Sequence, residues 1–287
     1  MLASALVPAP YTDHHITIDG FKLHYQDYDS AGKPPMLCIH GGAANGHWFD
    51  FVAAGFTANF HVRALDMRGH GDSDWDNSAT PDYSYERYAA DVNEFAEKLG
   101  LRDFVLIGHS MGGMISTVYC GSSSKYPCRA RAFLLVDTTI KMSDERIAGF
   151  HAVGAREGRH YADQAEFIAH YKVRPGDSTA APEILRHMAF HSGRQFPDGR
   201  WRHKVDRRVY ANRVFVDSYA YWANVKIPSL LMRASRSGRI TPEMIAKVQS
   251  RAPQVLVSDV ADSDHHITLD NPAGFIQAAN EYLNKIK

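Results

Sequence analysis

The stretch GHSMGG at 108–113 carries the residue types of a nucleophilic catalyst. It follows the apolar run DFVLI and precedes the helical pattern MISTVYC. A G-x-S-x-G pattern between a strand and a helix turns the backbone sharply and raises the serine hydroxyl above the sheet. Gly108 and Gly112 suit such a turn because a side chain at either position would collide as the backbone doubles back. We therefore expect Ser110 to act as a nucleophile.

Backbone amides close to this serine could stabilise negative charge. The residues HGG at 40–42 follow the apolar run PMLCI, and the glycines leave their N–H groups free to face the serine from the next strand. The amides of Gly42 and Met111 are the predicted donors to a tetrahedral oxyanion, and each such donor lowers the barrier by roughly 3 kcal/mol. Trp48, which follows the glycines, is the predicted substrate-binding residue.

Three motifs occur in the order HGG, DMRGHGDS and GHSMGG. Together they resemble the α/β-hydrolase fold family, and the resemblance covers essentially the whole chain. It implies an α/β architecture, a mostly parallel eight-stranded sheet flanked by helices, with an inserted helical lid. It also implies a serine hydrolase with a histidine base and an acidic third residue.

A histidine must take the proton of the serine, and the chain has two doubled histidines. In the resembled family the base lies in the loop after the last strand, ahead of a proline that opens the closing helix. The segment DHHITLDNP has this layout, so the resemblance implies His265, with His266 as the alternative. His14 and His15 instead lead into an edge hairpin, away from the strand ends that bear sites in α/β folds.

The acid of the triad is absent from its usual place. In many relatives it follows the strand before last, but here that segment reads LLMRASRSGRIT, with Gly238 at about the expected position. Asp137, which ends AFLLVD one strand earlier, is the best substitute because it preserves the order serine, acid, histidine. This placement is similar to that in an amide-cleaving member of the family. The alternatives are a dyad without an acid and the aspartates nearer His265, namely Asp259, Asp262 and Asp264.

Short apolar runs alternate with helical patterns along the chain, which predicts a parallel sheet with right-handed crossovers. The runs are PMLCI, FHVRALD, DFVLIG, AFLLV, PSLLM and QVLVSD. HITI and FKLHYQD on either side of an Asp-Gly pair predict an N-terminal hairpin. Only helical patterns and a loop occur from about 141 to 223. We therefore divide the chain into a hydrolase core at 1–140 and 224–287 and a helical lid at 141–223.

Composition argues against several classes of protein. The 287 residues include 32 basic and 32 acidic ones without a long run of either sign, so neither nucleic acid nor a membrane surface is an expected partner. No apolar stretch is long enough to span a membrane, and the segment MLASALVPAP lacks the basic start of a signal peptide. Three cysteines without CxxC spacing favour a reducing compartment. We expect a cytoplasmic protein that acts on a small molecule, and the oligomeric state stays undetermined.

Neither a metal nor an organic cofactor is expected. The two histidine pairs lack supporting ligands at metal-binding spacing, and the chain has no HExxH motif. The similarity between the segments around His14/His15 and His265/His266 is interpreted as a chance repetition.

These residues predict hydrolysis of a carboxylic ester or amide of a small molecule through an acyl-enzyme. Because the fold does not determine the reaction, two alternatives stay open. Relatives include carbon–carbon bond hydrolases and cofactor-free dioxygenases of aromatic-compound breakdown, and some plant members are non-catalytic ligand receptors. An intact Ser–His pair beside free amides favours catalysis. The basic stretch GRWRHKVDRR at 199–208 could contact a carboxylate-bearing substrate or could be a solvated loop.

Overall fold

One eight-stranded sheet forms the centre of the computed structural model, which describes residues 7–211 and 213–286. Its strands are β1 Thr12–Ile18, β2 Phe21–Asp27, β3 Pro35–Ile39, β4 His61–Leu65, β5 Phe104–His109, β6 Ala130–Val136, β9 Ser229–Ala234 and β10 Val255–Val260. Two further strands, β7 Gly193–Gln195 and β8 Trp201–His203, form a separate hairpin. The order across the main sheet is β1-β2-β4-β3-β5-β6-β9-β10. Strand β2 is antiparallel to both neighbours and all later pairs are parallel, which confirms the predicted fold class.

The central strands are apolar because both of their faces are covered. Every residue of β5 is buried. Successive side chains point to opposite faces of a strand, and Leu106 and Ile107 accordingly belong to two different hydrophobic clusters, one on each side of the sheet. Such continuous apolar runs are typical of parallel sheets, which is why the strand predictions agree with the structure.

The N-terminal hairpin forms at the predicted turn. Asp19 and Gly20 both have positive φ angles, 49° and 79°, as the tightest hairpin connection requires. β1 pairs with β2 at one edge of the sheet. His14 lies on this edge strand, where its ring stacks on Tyr25 at 5.2 Å. The first histidine pair is therefore far in topology from the carboxyl ends of the central strands.

Some helices pack on the two faces of the sheet, and others belong to the segment between β6 and β9. They are α1 Asp50–Ala53, α2 Tyr85–Lys98, α3 Met111–Gly121, α4 Asp144–Ala155, α5 Gln164–His170, α6 Pro182–Ser192, α7 Arg208–Ala211, α8 Tyr219–Trp222, α9 Pro242–Gln249, α10 Ile267–Asp270 and α11 Pro272–Lys285. The start of α2 is capped by Ser84, whose side chain accepts a hydrogen bond from the Arg87 amide. Gly100, with φ of 63°, follows its end.

The segment between β6 and β9 contains α4, α5 and α6, as the helical patterns predict, together with the short helices α7 and α8 and the β7-β8 hairpin. The expectation of a wholly helical insertion is wrong at this point. The Phe196 amide bonds the Arg200 carbonyl at 2.9 Å, and Gly199 between them has φ of 79°. The sequence PDG at 197–199 supplies a tight turn, and that turn brings two short strands together.

Within residues 7–211 and 213–286, no helix combines the length and apolar character needed to cross a membrane. Residues 1–6, the first part of the segment for which no signal peptide is expected, lie outside the described residues.

Candidate active site

Ser110 lies in a strained turn between β5 and α3, with φ of 54° and ψ of −114°. A Cβ atom at Gly108 would lie 2.5 Å from the Gly112 carbonyl oxygen, and one at Gly112 would lie 2.2 Å from the Ile39 carbonyl oxygen. Both obstacles are backbone atoms that cannot move aside. The two glycines are therefore required for the turn, and the positive φ of Ser110 is maintained by the packing around it.

Three side chains that are distant in sequence meet at this turn. The Ser110 Oγ lies 2.9 Å from the His265 Nε2, and the His265 Nδ1 lies 2.8 Å from the Asp137 Oδ2. With the proton on Nδ1, His265 donates to the carboxylate and accepts from the serine hydroxyl. The structure thus brings together the predicted nucleophile, base and acid in a continuous hydrogen-bonded chain.

Asp137 is fully buried and accepts further hydrogen bonds. The Ser237 hydroxyl donates to its Oδ2 at 2.7 Å, and the Ala234 amide donates to its Oδ1 at 3.3 Å. Ser237 directly precedes Gly238, the position at which many relatives carry the acid. In this protein that segment therefore supplies a hydrogen-bond donor to Asp137. Two of the rival aspartates pair elsewhere, Asp259 with Arg233 and Asp262 with Arg236, and the His265 ring bonds Asp137 rather than Asp264.

The two histidines flanking this arrangement make other contacts. His266 Nε2 bonds the Pro175 carbonyl oxygen at 2.9 Å, so the alternative base is directed away from the serine. His109 Nε2 donates to the His265 carbonyl oxygen at 2.8 Å and holds the loop that carries His265. The geometry therefore distinguishes His265 from its neighbour.

The electrostatic surroundings favour a neutral imidazole. Burial lowers the pKa of His265 well below its ordinary value, and the guanidinium groups of Arg239 and Arg146 act in the same direction. Burial raises the pKa of Asp137, while the hydrogen bonds from Ser237 and Ala234 oppose that rise. A neutral imidazole can accept a proton, which is the state that the predicted role of His265 requires at neutral pH.

The predicted oxyanion donors border the same space as the serine. Gly42, Met111, Ser110 and His265 all line one cavity. Among the described residues, no acceptor bonds the amides of Gly42 and Met111. Trp48 also lines this cavity with its ring 3% exposed, and its Nε1 is buried without a partner in the described chain.

The cavity has a volume of about 1170 Å³ and is strongly cationic. Eight arginines and one lysine line it against two carboxylates, Glu157 and Asp206. The basic stretch at 199–208 contributes Arg202 and Arg207 to this lining. The helices and hairpin of the inserted segment therefore form much of the wall.

Arg213 is a residue of this cavity that the sequence analysis missed. It is only 4% exposed, and its Nε and Nη2 atoms have no hydrogen-bond partner among the described residues. Its guanidinium lies 5.7 Å from the ring centroids of both Tyr85 and Tyr210, and its Nη1 lies 3.7 Å from the position that a Cβ atom on Gly42 would occupy. A buried guanidinium beside the predicted oxyanion donors, with no carboxylate within residues 7–211 and 213–286 to neutralise it, has unused capacity to bind an anion. Nothing in the local sequence signals this burial.

In the part of the chain that the structure describes, two clusters contain enough histidine and carboxylate groups to hold a metal, and neither lines the cavity. One consists of His24, Asp66 and Asp72, in which Asp66 already accepts from the amides of Gly46 and Asp72 and so fixes a turn. The other contains the residues His47, Asp50, His187 and His191.

Comparison with known proteins places the chain in a family. The family model described as alpha/beta hydrolase fold matches residues 34–272. N-formylmaleamate deformylase of Pseudomonas putida is 26% identical over 294 residues, covering 94% of this chain and 96% of that protein. The 2-(acetamidomethylene)succinate hydrolase of Mesorhizobium japonicum is 25% identical over 284 residues, covering 95% and 97%.

Solved structures show the same architecture. A crystal structure of E-2-(acetamidomethylene)succinate hydrolase superposes with a TM-score of 0.81 at 21% identity, covering 96% of this chain and all of that one. An N-formylmaleamic acid deformylase from Pseudomonas putida superposes with a TM-score of 0.70 at 23% identity, covering 94% of this chain and all of that one. The resemblance stated from the motifs is confirmed, and this protein is a hydrolase of the α/β-hydrolase fold family.

Proposed function

We propose that this protein is a serine hydrolase that cleaves an amide or ester of a small, carboxylate-bearing molecule through an acyl-enzyme. The observation that carries the proposal is the chain of hydrogen bonds from Ser110 through His265 to Asp137, at the wall of a cationic cavity. The catalytic roles follow from this geometry and from the chemistry of each group.

In the first half of the reaction, the Ser110 oxygen attacks the substrate carbonyl while His265 takes the hydroxyl proton. The amides of Gly42 and Met111 donate to the resulting oxyanion. His265 then gives its proton to the departing nitrogen or oxygen as the bond to the carbonyl carbon breaks. In the second half, His265 deprotonates a water that attacks the acyl-enzyme, and the proton returns to Ser110 as the acid product leaves. Asp137 orients the imidazole and stabilises its charged form throughout.

The charge of the cavity supports a carboxylate-bearing substrate. Its arginines outnumber its carboxylates, and guanidinium groups bind carboxylates in a planar, two-pronged geometry. Two relatives that span nearly the whole chain are named for cleaving N-formylmaleamate and 2-(acetamidomethylene)succinate, and both names describe an amide of a molecule that bears carboxylate. These names and the cavity favour an amide with a nearby carboxylate over a neutral ester.

Arg213 is the residue that we expect to bind that carboxylate. It lies beside the predicted oxyanion donor Gly42, so a carboxylate held there would be close to the scissile carbonyl. Its free Nε and Nη2 atoms can donate two parallel hydrogen bonds. Trp48, with its free indole N–H, is the second proposed substrate contact.

Covalent catalysis is tested with a fluorophosphonate probe and with 4-nitrophenyl acetate. Wild-type protein should acquire one adduct by mass spectrometry, located on Ser110, and should release nitrophenol. Ser110→Ala should do neither. An unlabelled Ser110, or a Ser110→Ala variant with full activity, contradicts the acyl-enzyme and would favour the dioxygenase or receptor alternatives.

Substrate class is tested with matched pairs of compounds. The mono-4-nitrophenyl ester of succinate, which keeps a free carboxylate, is compared with the same ester in which that carboxylate is methylated and therefore neutral. N-formylmaleamate and 2-(acetamidomethylene)succinate are assayed separately as amide substrates. We expect a higher kcat/KM for the charged member of the pair, by about 10-fold or more, since one hydrogen bond to a charged group contributes about 1.5–3 kcal/mol. Equal values for both members would reject carboxylate recognition while leaving the hydrolase proposal intact.

A further inference from the structure

Three histidines and one aspartate form a compact cluster outside the catalytic cavity. His47 and Asp50 lie on the 3-10 turn Gly46–Phe49 and at the start of α1, and His187 and His191 lie one turn apart on α6. One potential ligand atom from each of the four residues lies within 4.8 Å of all the others. We infer that this cluster is a binding site for a divalent transition metal, with Zn²⁺ as the ion that its ligands fit best.

The donor set matches zinc chemistry. Zinc prefers tetrahedral coordination by imidazole nitrogen and carboxylate oxygen at about 2.0–2.2 Å, which places neighbouring ligand atoms about 3.3 Å apart. In the cluster, Asp50 Oδ2 lies 2.6 Å from His187 Nε2 and 2.9 Å from His47 Nδ1. The His47 and His191 rings stack with centroids 3.7 Å apart. The four ligand atoms are therefore close enough together to surround one ion.

His191 distinguishes this cluster from an ordinary pair of histidines balancing an aspartate. Among the described residues its ring nitrogens have no hydrogen-bond partner, although the ring is packed between His47 and His187. An imidazole in this position can offer a ring nitrogen to a metal, and it adds nothing to the hydrogen bonding of Asp50, which is bonded by Tyr28, His47 and His187.

The groups behind the cluster resemble the support that metal ligands require. The Tyr28 hydroxyl donates to Asp50 Oδ1 at 2.6 Å and fixes the carboxylate. The Asn45 side chain accepts from the His47 amide at 3.1 Å and donates to the His191 carbonyl at 3.1 Å. Such outer contacts orient the ligands and typically change metal affinity by about 10–100-fold.

The four proposed ligands come from two different parts of the fold, so a bound metal would connect those parts. Asp50 and His47 are buried in the core of the fold, whereas α6 belongs to the segment inserted between β6 and β9. The His187 side chain is 19% exposed, which gives an ion access from solvent. A bound ion would therefore join α6 to the core and stabilise the inserted segment against local opening.

The experiment uses tag-free, full-length protein that has been treated with a chelator and titrated with Zn²⁺ in a calorimeter, with Co²⁺ as a spectroscopic substitute. Wild-type protein should bind one ion, the Co²⁺ spectrum should show the intense bands of tetrahedral coordination, and Tm should rise with Zn²⁺. The double variant His187→Gln/His191→Gln should bind Zn²⁺ at least about 100-fold more weakly, since loss of an outer contact alone reaches that magnitude. Tyr28→Phe should weaken binding by about 10–100-fold.

Two control variants separate this site from the other histidines. His14→Ala removes an exposed histidine, and His265→Ala removes the proposed catalytic base; both should bind Zn²⁺ like the wild type. Circular dichroism and Tm without metal establish that each variant is folded. The inference is overturned if wild type binds no Zn²⁺, if the double variant binds it unchanged, or if binding is lost with His265→Ala.

Discussion

At the scale of single residues, the candidate site depends on groups that are positioned before any substrate arrives. Ser110 is held at a φ of 54°. The hydrogen bonds of Asp137 fix the orientation of the His265 ring, which faces Ser110. Preorganised groups need no rearrangement as charge develops, which is the main source of electrostatic stabilisation in enzymes. The most informative substitutions therefore change one atom or one charge without changing shape.

Replacement of the acid tests its role directly. We expect Asp137→Asn to lower kcat for 4-nitrophenyl acetate by about 10⁴-fold, because an amide in this place favours the wrong imidazole tautomer. Asp264→Asn, one residue from His265 in sequence, should stay close to wild type. Full activity of Asp137→Asn, or a large loss with Asp264→Asn, would reject our assignment of the acid.

The pH dependence of the base is a second residue-scale prediction. Because burial and nearby guanidinium groups lower the pKa of His265, the acidic limb of kcat/KM should lie below pH 6.5, the ordinary value for histidine. Removal of a positive charge favours the imidazolium, so Arg239→Gln should move this limb to higher pH. A pH–rate profile measured on both proteins checks the direction, and an unchanged or lower limb in the variant would contradict it.

Replacement of Arg213 should affect the stability of the protein and its substrate binding in different ways. It is a buried charge that no carboxylate neutralises in the described chain, so Arg213→Gln should leave Tm unchanged or raise it. The same variant should raise KM for a carboxylate-bearing substrate by about 10–100-fold with little effect on a neutral ester. Arg102→Gln, at an exposed site away from the cavity, is the matched control. Equal effects on both substrates would assign Arg213 a merely structural role.

At the scale of elements, the site depends on how closely α3 packs against its neighbours. The helix starts directly after Ser110, and the carbonyl oxygen of Ile39 at the end of β3 lies where a side chain of Gly112 would be. The close approach of α3 to β3 brings the amides of Gly42 and Met111 to the same cavity. Glycine here is thus a requirement of packing between elements.

A pair of glycine substitutions tests this argument. Gly112→Ala would place a methyl group 2.2 Å from a backbone oxygen, and we expect a loss of about 1–3 kcal/mol or more in the free energy of unfolding. Gly149, within α4, has open space around its Cβ position. Gly149→Ala should therefore raise the free energy of unfolding by about 0.5–1 kcal/mol. Denaturation in urea measures both, and similar effects of the two changes would refute the packing explanation.

At the scale of the whole molecule, burial of many neutral histidines makes stability dependent on pH. Burial lowers the pKa of several imidazoles in the described chain, namely His40, His70, His109, His203 and His265. In the unfolded chain these groups take up protons near pH 6.5, which the folded chain resists. Their contribution to stability is therefore complete above that pH and is lost as the pH falls below it.

We accordingly expect the free energy of unfolding to fall between pH 7 and pH 5, by up to about 1.4 kcal/mol per pH unit for each such histidine. His70→Phe, at a site buried completely, should make the slope shallower. His24 has the opposite sign, since the hydrogen bond that its Nδ1 donates to the Asp66 carboxylate outweighs burial and raises the pKa of His24 to about 9. Its contribution should be lost between pH 6.5 and 9. Stability that is constant from pH 5 to 7 would contradict this account.

Much of this protein follows from local patterns in its sequence. Continuous apolar runs predicted the central strands, an Asp-Gly pair predicted the hairpin, and glycines around Ser110 predicted the turn, because each depends on backbone sterics or on burial of one short segment. The order of the motifs also indicated the family and, through its usual layout, His265. The inserted hairpin was missed because its strands are only three residues long and carry no regular alternation.

Only the tertiary structure decided which distant groups meet. Asp137 and His265 are 128 positions apart in the chain. The residues around Asp137 did not by themselves distinguish it from the other candidate aspartates. The parallel pairing of β6 with β9 brings the Asp137 carboxylate behind the His265 ring. The burial of Arg213 and the meeting of His47 with His191 likewise arise from an inserted segment folding onto the core. Backbone sterics depend on residues that are neighbours in the sequence, so the sequence predicts them. The charge around a side chain and the ligands that it can share depend on contacts between distant segments, which form only when the chain packs.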